Sequence, residues 1–192
     1  SGALYRLLAL RALAAGKADA AAAEIAALTT DLQIDFRLDA DGCTVLLNGE
    51  PVGNELRSER CGNAASKIAA YPEVRAALLD YQRHFAGEAP LVADGRDMGT
   101  VVFPTAPLKF FLTASSEIRA ERRHKQLLAK GECVNVRDIY AEIVARDERD
   151  QTRSVAPLKP ASDAVVIDTG TLSIADVQQQ VNAEIAARFS FS

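Results

Sequence analysis

Apolar positions near the start of the chain recur at helical spacing: Leu4, Leu7, Leu8, Leu10 and Ala14 follow the i, i+3, i+4 rule that lines one helix face. Gly16-Lys17 interrupts the run, and the alanine-rich stretch from about Asp19 to Leu28 predicts a second helix. Between Leu32 and Val52 the period changes to two. Ile34, Phe36 and Leu38 alternate with polar neighbours, as do Val45 and Leu47, and Asp41-Gly42 and Asn48-Gly49 supply hairpin dipeptides, so a small antiparallel meander is expected. Helical spacing returns from about Ser58 to Tyr71 and, opened by Pro72, to about Phe85.

Beyond Gly87 the pattern becomes that of an α/β sheet. Leu91-Val92-Ala93 and Leu108 to Leu112 predict short buried strands, and Ala164 to Asp168 a last one. Ser115 and Ser116 sit where a cap would open a helix near Glu117. Further helices are expected from about Val136 to Gln151 and from Ser173 to about Phe189. Strands alternating with helices imply a mainly parallel sheet covered on both faces.

Composition narrows the classes. The 192 residues carry 22 Lys+Arg against 26 Asp+Glu, a formal charge of −4, with 48% hydrophobic and 25% charged residues. That is a globular chain of one domain, and a net acidic one is a poor nucleic-acid binder, whose affinity comes from neutralising phosphates. Three cysteines, Cys43, Cys61 and Cys133, form no C-x-x-C pair and fit a reducing compartment. The opening Ser-Gly-Ala-Leu-Tyr-Arg has no initiator Met, charged n-region or apolar h-region, and no apolar run approaches the ~20 residues that cross a bilayer. A cytoplasmic protein, trimmed or partial at its front, is expected.

Candidate chemistry concentrates in two places. Asp94-Gly95-Arg96-Asp97-Met98-Gly99 follows a predicted strand, where open parallel sheets bind ligands. Arg146, Asp150 and Arg153 stand at i, i+4, i+7, which on one helix face presents cation, carboxylate and cation in a row. Guanidinium forks suit phosphate oxygens. From Glu117 to Arg153 there are nine Lys+Arg and eight Asp+Glu, a charge-dense stretch that favours discrete sites or an exposed lid over RNA binding. Arg6 and Arg75 read as surface arginines, Ser66 as a helix-packing residue and Tyr5 as a core-edge aromatic. His84 and His124 stand beside no nucleophile, which excludes a Ser/His/Asp or Cys/His triad, and no metal-ligand spacing occurs.

Several segments together carry a resemblance: Ser-Gly-Ala-Leu-Tyr-Arg at the start, Asn-Ala-Ala-Ser at 63–66, Asp-Gly-Arg-Asp-Met-Gly-Thr-Val-Val-Phe-Pro at 94–104, Ala-Ser-Ser-Glu at 114–117 and Arg-Asp-Glu-Arg-Asp-Gln-Thr-Arg at 146–153. In this order the chain resembles the bacterial cytidylate kinases. The resemblance implies an α/β fold with a P-loop-type parallel sheet, helices on both faces, a helical and β-meander NMP-binding insert and a helical lid. It implies one domain over 1–192: an NMP-binding region 1–86 with its β-rich insert at about 32–52, core strands in 87–116, a lid in 117–153, and a last core strand and helix in 154–192. It further implies a monomer that transfers a phosphoryl group from ATP, with Mg²⁺, to CMP or dCMP.

Carried over by position, Ser1, Arg75, Asp97 and Arg153 would read the cytosine edge. Ser66, Arg146 and Asp150 would contact the ribose, with Arg146 also near the phosphates, and Arg6 and Arg96 would hold the CMP phosphate. Arg96, Arg146 and Arg153 would be the catalytic arginines, and Arg119 and Arg123 would face ATP from the lid. The family's G-x-x-x-x-G-K-[ST] phosphate loop does not occur in the chain: Gly16-Lys17 is followed by Ala18, and Arg11 stands at the earlier glycine's place. A strand, loop and helix of about 30–40 residues are therefore expected before Ser1, and the 192 residues alone are expected to be poorly active. A silent CMP-binding domain and a kinase preferring UMP are the alternatives.

Overall fold

A computed structural model describes residues 1–39, 42–87 and 90–189. The chain is α/β, with a parallel strand pair, an antiparallel meander and seven α-helices among the described residues. It folds as two compact units, one formed by Ser1–Met98 with Arg149–Pro157, the other by Gly99–Glu148 with the chain from Leu158 onward.

The first unit has the larger core. Helix α1 (Gly2–Ala14) buries Leu4, Leu7, Leu8, Ala9 and Ala12. Its end is closed by two backbone bonds, Gly16 N–H to the Leu13 carbonyl at 3.1 Å and Lys17 N–H to the Ala12 carbonyl at 2.7 Å. Helix α2 (Ala22–Ala27) is shorter than the pattern suggests. The expected start at Asp19 is displaced to Ala22 because the backbone between is used in a turn, Ala20 N–H bonding the Lys17 carbonyl at 3.1 Å.

Strands β1 (Ile34–Asp39), β2 (Gly42–Leu47) and β3 (Glu50–Pro51) form the meander, with Ile34 opposite Leu47 and Phe36 opposite Val45. Asn48 and Gly49, at φ of 53° and 83°, make the two-residue turn their identities predict. In the other expected turn, Gly42 opens β2 and Asp41 lies outside the described residues. Helix α3 (Glu59–Ile68) is capped by Ser58, whose Oγ accepts from Cys61 N–H at 3.2 Å, and α4 (Pro72–His84) starts on its proline. Leu4, Leu8, Ile25, Leu32, Ile68, Val74 and Leu78 meet in one cluster.

One expected element is corrected. Leu91-Val92-Ala93 is irregular rather than a buried strand, and Val92 is 99% exposed. A strand exists only through its neighbour's ladder of hydrogen bonds, and no described strand pairs with this segment.

In the second unit, β4 (Phe110–Thr113) and β5 (Val165–Asp168) pair in parallel, Phe110 opposite Val165 and Leu112 opposite Ile167. Ser115 caps α5 (Ser116–Ala129), and Ser173 with Asp176 forms a reciprocal capping box on α7 (Ile174–Arg188). Helix α6 (Val136–Thr152) begins here and ends in the first unit. Ala120, Leu127 and Ile139 form a small core. Lys109 is buried, its Nζ donating to the Pro104 carbonyl at 2.6 Å and to Asp163 at 2.8 and 2.9 Å. Arg122 donates to Thr169 Oγ1 at 3.0 Å and to the Thr169 carbonyl at 2.5 Å, while Thr169 N–H and hydroxyl both donate to the Thr113 carbonyl.

Candidate functional site

The loop from Asp94 to Asp97, the start of α1 and the last turn of α6 build a polar cluster wholly inside the first unit. The Ser1 nitrogen donates to the Asp94 carbonyl at 2.7 Å. Gly95 lets the backbone come this close: a Cβ there would lie 2.2 Å from Ser1 Oγ, so no other residue fits without displacing Ser1.

Asp97 and Arg75 form a buried ion pair, 3% and 7% exposed, between Oδ2 and Nη2. Arg75 Nη1 also donates to the Ala69 carbonyl at 3.1 Å, and its guanidinium carbon lies 5.7 Å from the centre of the Tyr5 ring. Asp150, also buried, accepts from Arg96 Nε at 3.2 Å and from Arg153 Nη1 at 3.4 Å. Arg153 Nε donates to the Ala156 carbonyl at 2.6 Å. Burial, then Arg75, push Arg153 below its ordinary value, while Asp150 and Asp97 hold it up.

Two polar atoms here are left over. Arg153 Nη2 and the Tyr5 hydroxyl are both buried without a hydrogen-bond partner. Hiding such a donor from water with nothing to bond costs about 1–3 kcal/mol, which a ligand acceptor would relieve. Burial also pushes the Tyr5 phenol up, keeping it protonated.

Ser66 is buried on α3 and accepts from Arg149 Nε at 3.1 Å. Arg6 is held by backbone: Nη1 donates to the Leu56 carbonyl at 2.9 Å and the Ser58 carbonyl at 3.3 Å. Beside it, the buried Cys61 thiol, raised by desolvation, reaches the Arg6 carbonyl at 3.4 Å. A groove of about 310 Å³ in the first unit is lined by Leu10, Leu13, Glu55, Arg60 and Cys61 and shares no residue with the Arg75, Asp97 and Arg153 cluster. The two orphaned donors mark the candidate site better than that groove does, because a buried donor without a partner calls for an acceptor.

The structure thus brings together Ser1, Arg75, Arg96, Asp97, Asp150 and Arg153, with Ser66 joined to α6 and Arg6 bound to the loop before α3. Arg146, Arg119 and Arg123 lie in the second unit. Arg119 is engaged there: Nη1 donates to Asp147 Oδ1 at 3.0 Å, Nη2 pairs with Oδ2, and Nε donates to the Ala114 carbonyl at 3.1 Å. Its bond to Asp147 raises it above the ordinary arginine value. Arg123 and Arg146 are half-buried on α5 and α6. The sequence placed Tyr5 only at the edge of the core and did not single out Arg149. Arg149 carried a usable signal, since i+3 from Arg146 lies on the same helix face; Tyr5 carried none beyond its place beside Arg6. Among the described residues no group of three His, Cys, Asp or Glu side chains could hold a metal, and no helix is long and apolar enough to cross a membrane.

The cytidylate kinase family model matches residues 1–187. The cytidylate kinase of Dichelobacter nodosus is 54% identical over 189 residues, covering 98% of this chain and 84% of that protein. Those of Shewanella loihica, at 53% (92% of this chain, 77% of that one), and Stutzerimonas stutzeri, at 51% (98% and 83%), are similar to it as well.

Proposed function

The chain belongs to the cytidylate kinase family and is a nucleoside monophosphate kinase, and on that premise we propose that it phosphorylates CMP, and dCMP, with ATP as donor. The observation that carries the reading is the buried arginine cluster with a leftover donor, Arg153 Nη2.

In this reading Ser1, Arg75, Asp97 and Arg153 meet the cytosine edge. A carboxylate and a hydroxyl accept from the exocyclic amine, and guanidinium groups donate to the ring nitrogen and carbonyl. Uracil carries a carbonyl where cytosine has that amine, so Asp97 would meet it acceptor to acceptor, which is how such a site rejects the wrong base. Ser66, Arg146 and Asp150 serve the ribose, and Arg6 and Arg96 the phosphate. That role requires Arg6 to exchange its carbonyl partners for phosphate oxygens.

No side-chain nucleophile is needed, because a CMP phosphate oxygen attacks the γ-phosphorus in line and catalysis consists of positioning and charge neutralisation by Arg96, Arg146 and Arg153. The lid, residues 117–153, closes over the reactants and excludes water, with Arg119 and Arg123 toward ATP. Mg²⁺ supplies charge neutralisation when bound with ATP. Among the described residues no group of His, Cys, Asp or Glu side chains fits a metal site, and the phosphate loop motif does not occur in these 192 residues.

Asp97→Asn tests the reading. The amide keeps the shape but can offer an N–H where the carboxylate only accepted, so kcat/KM for CMP should fall about 100-fold, equivalent to about 2.7 kcal/mol, while UMP is affected less. Steady-state CDP and UDP formation by the full-length protein measures both. Equal use of CMP and UMP by the unmodified enzyme contradicts the base assignment.

A further inference from the structure

We infer that the Tyr5 hydroxyl is a further base-reading group, which with Arg153 Nη2 forms a pair of donors for the adjacent acceptor atoms of cytosine, ring N3 and carbonyl O2. The inference rests on the proposed CMP site and extends it to a residue for which the resemblance implied no role.

Tyr5 is 7% exposed and belongs to the apolar cluster that includes Leu4 and Leu8. For that packing a phenylalanine would serve equally, and better, since the hydroxyl is buried with no hydrogen-bond partner. Its surroundings are those of the site, not of the rest of the core. The ring lies against Arg75, and the charges of Arg75, Asp97 and Arg153 all act on the phenol. Arg75 is committed to Asp97 and the Ala69 carbonyl, and Arg153 has given Nε to Ala156 and Nη1 to Asp150. The leftover Arg153 Nη2 and the Tyr5 hydroxyl are thus two donors in one electrostatic neighbourhood, both hidden from water.

A ligand completing them must bring two acceptors. Cytosine has them side by side, whereas uracil has an N–H at position 3, which would point a donor at a donor. Burial keeps the phenol in its protonated, donating form across neutral pH.

Tyr5→Phe removes the oxygen alone and leaves the ring against Arg75. In calorimetric titrations of the full-length protein, the variant should bind CMP about tenfold more weakly. Ribose 5-phosphate, which has sugar and phosphate but no base, should compete equally well for both proteins. The ligand-free unfolding midpoint should stay level or rise, because an unsatisfied hydroxyl has gone. Unchanged CMP affinity overturns the inference, and so does an equal loss for ribose 5-phosphate, which would assign the hydroxyl to sugar or phosphate. A lowered ligand-free midpoint overturns it too, by showing a structural partner. Failure of the unmodified protein to bind CMP overturns instead the site reading on which the inference stands.

Discussion

Asp163 shows how one residue ties stability to pH. Its carboxylate accepts twice from Lys109, and that bond, the largest cause, holds it below the ordinary carboxylate range. A depressed carboxylate stabilises the fold fully above its unfolded value, and the contribution disappears as pH falls through the lower folded value. The acid limb of the unfolding midpoint against pH should therefore flatten in Asp163→Asn, in the region from the ordinary carboxylate range downward, with no difference between the proteins in slope near neutrality. An identical acid limb in both would show that the pair contributes nothing. Asp163 illustrates what sequence hides at this scale. Arg96, Asp97, Asp150 and Arg153 were legible as a charged group because guanidinium and carboxylate types recur there at loop and helix spacing, whereas their base and phosphate roles rest on the resemblance. Lys109 with Asp163, and Arg149 with Ser66, are separated by 54 and 83 positions, so only the folded chain joins them.

Helix ends were the most legible elements, since their chemistry is local. Ser115 and Ser173 cap as expected, Ser58 turns out to cap the helix expected to begin near it, and Pro72 opens α4. Helix α5 ends on Gly131 at φ of 80°, with Gly131 N–H on the Leu128 carbonyl at 2.9 Å and Glu132 N–H on the Leu127 carbonyl at 3.0 Å. Gly131→Ala places a Cβ in the left-handed region and should cost about 1–2 kcal/mol, read as a lower unfolding midpoint and faster amide exchange in the last turn of α5. No loss would mean that the turn relaxes to another closure. Strands were less legible for a reason of physics rather than of pattern. The composition of Leu91-Val92-Ala93 suits a strand, but a ladder needs a second chain segment, and the short-range pattern carries no information about one.

Over the whole molecule, burial is uneven. The first unit gathers its apolar side chains into one cluster drawn from α1, α2, α3 and α4, while the second has Ala120, Leu127 and Ile139, and no residue of α7 is buried. Local opening free energy follows buried apolar contact, so hydrogen exchange should be slowest in α1, α3 and α4 and fastest in α7. Calorimetric unfolding should accordingly be broader than a single two-state transition. Uniform protection across both units would contradict this. Leu112 and Val166, on neighbouring strands β4 and β5, are exposed. A last consequence concerns light. The chain has four tyrosines and no tryptophan, so no indole masks or drains tyrosine emission. With Tyr5 against Arg75 in the proposed site, quenching of tyrosine emission on adding CMP is the expected optical sign of a nucleobase arriving, with no dye attached.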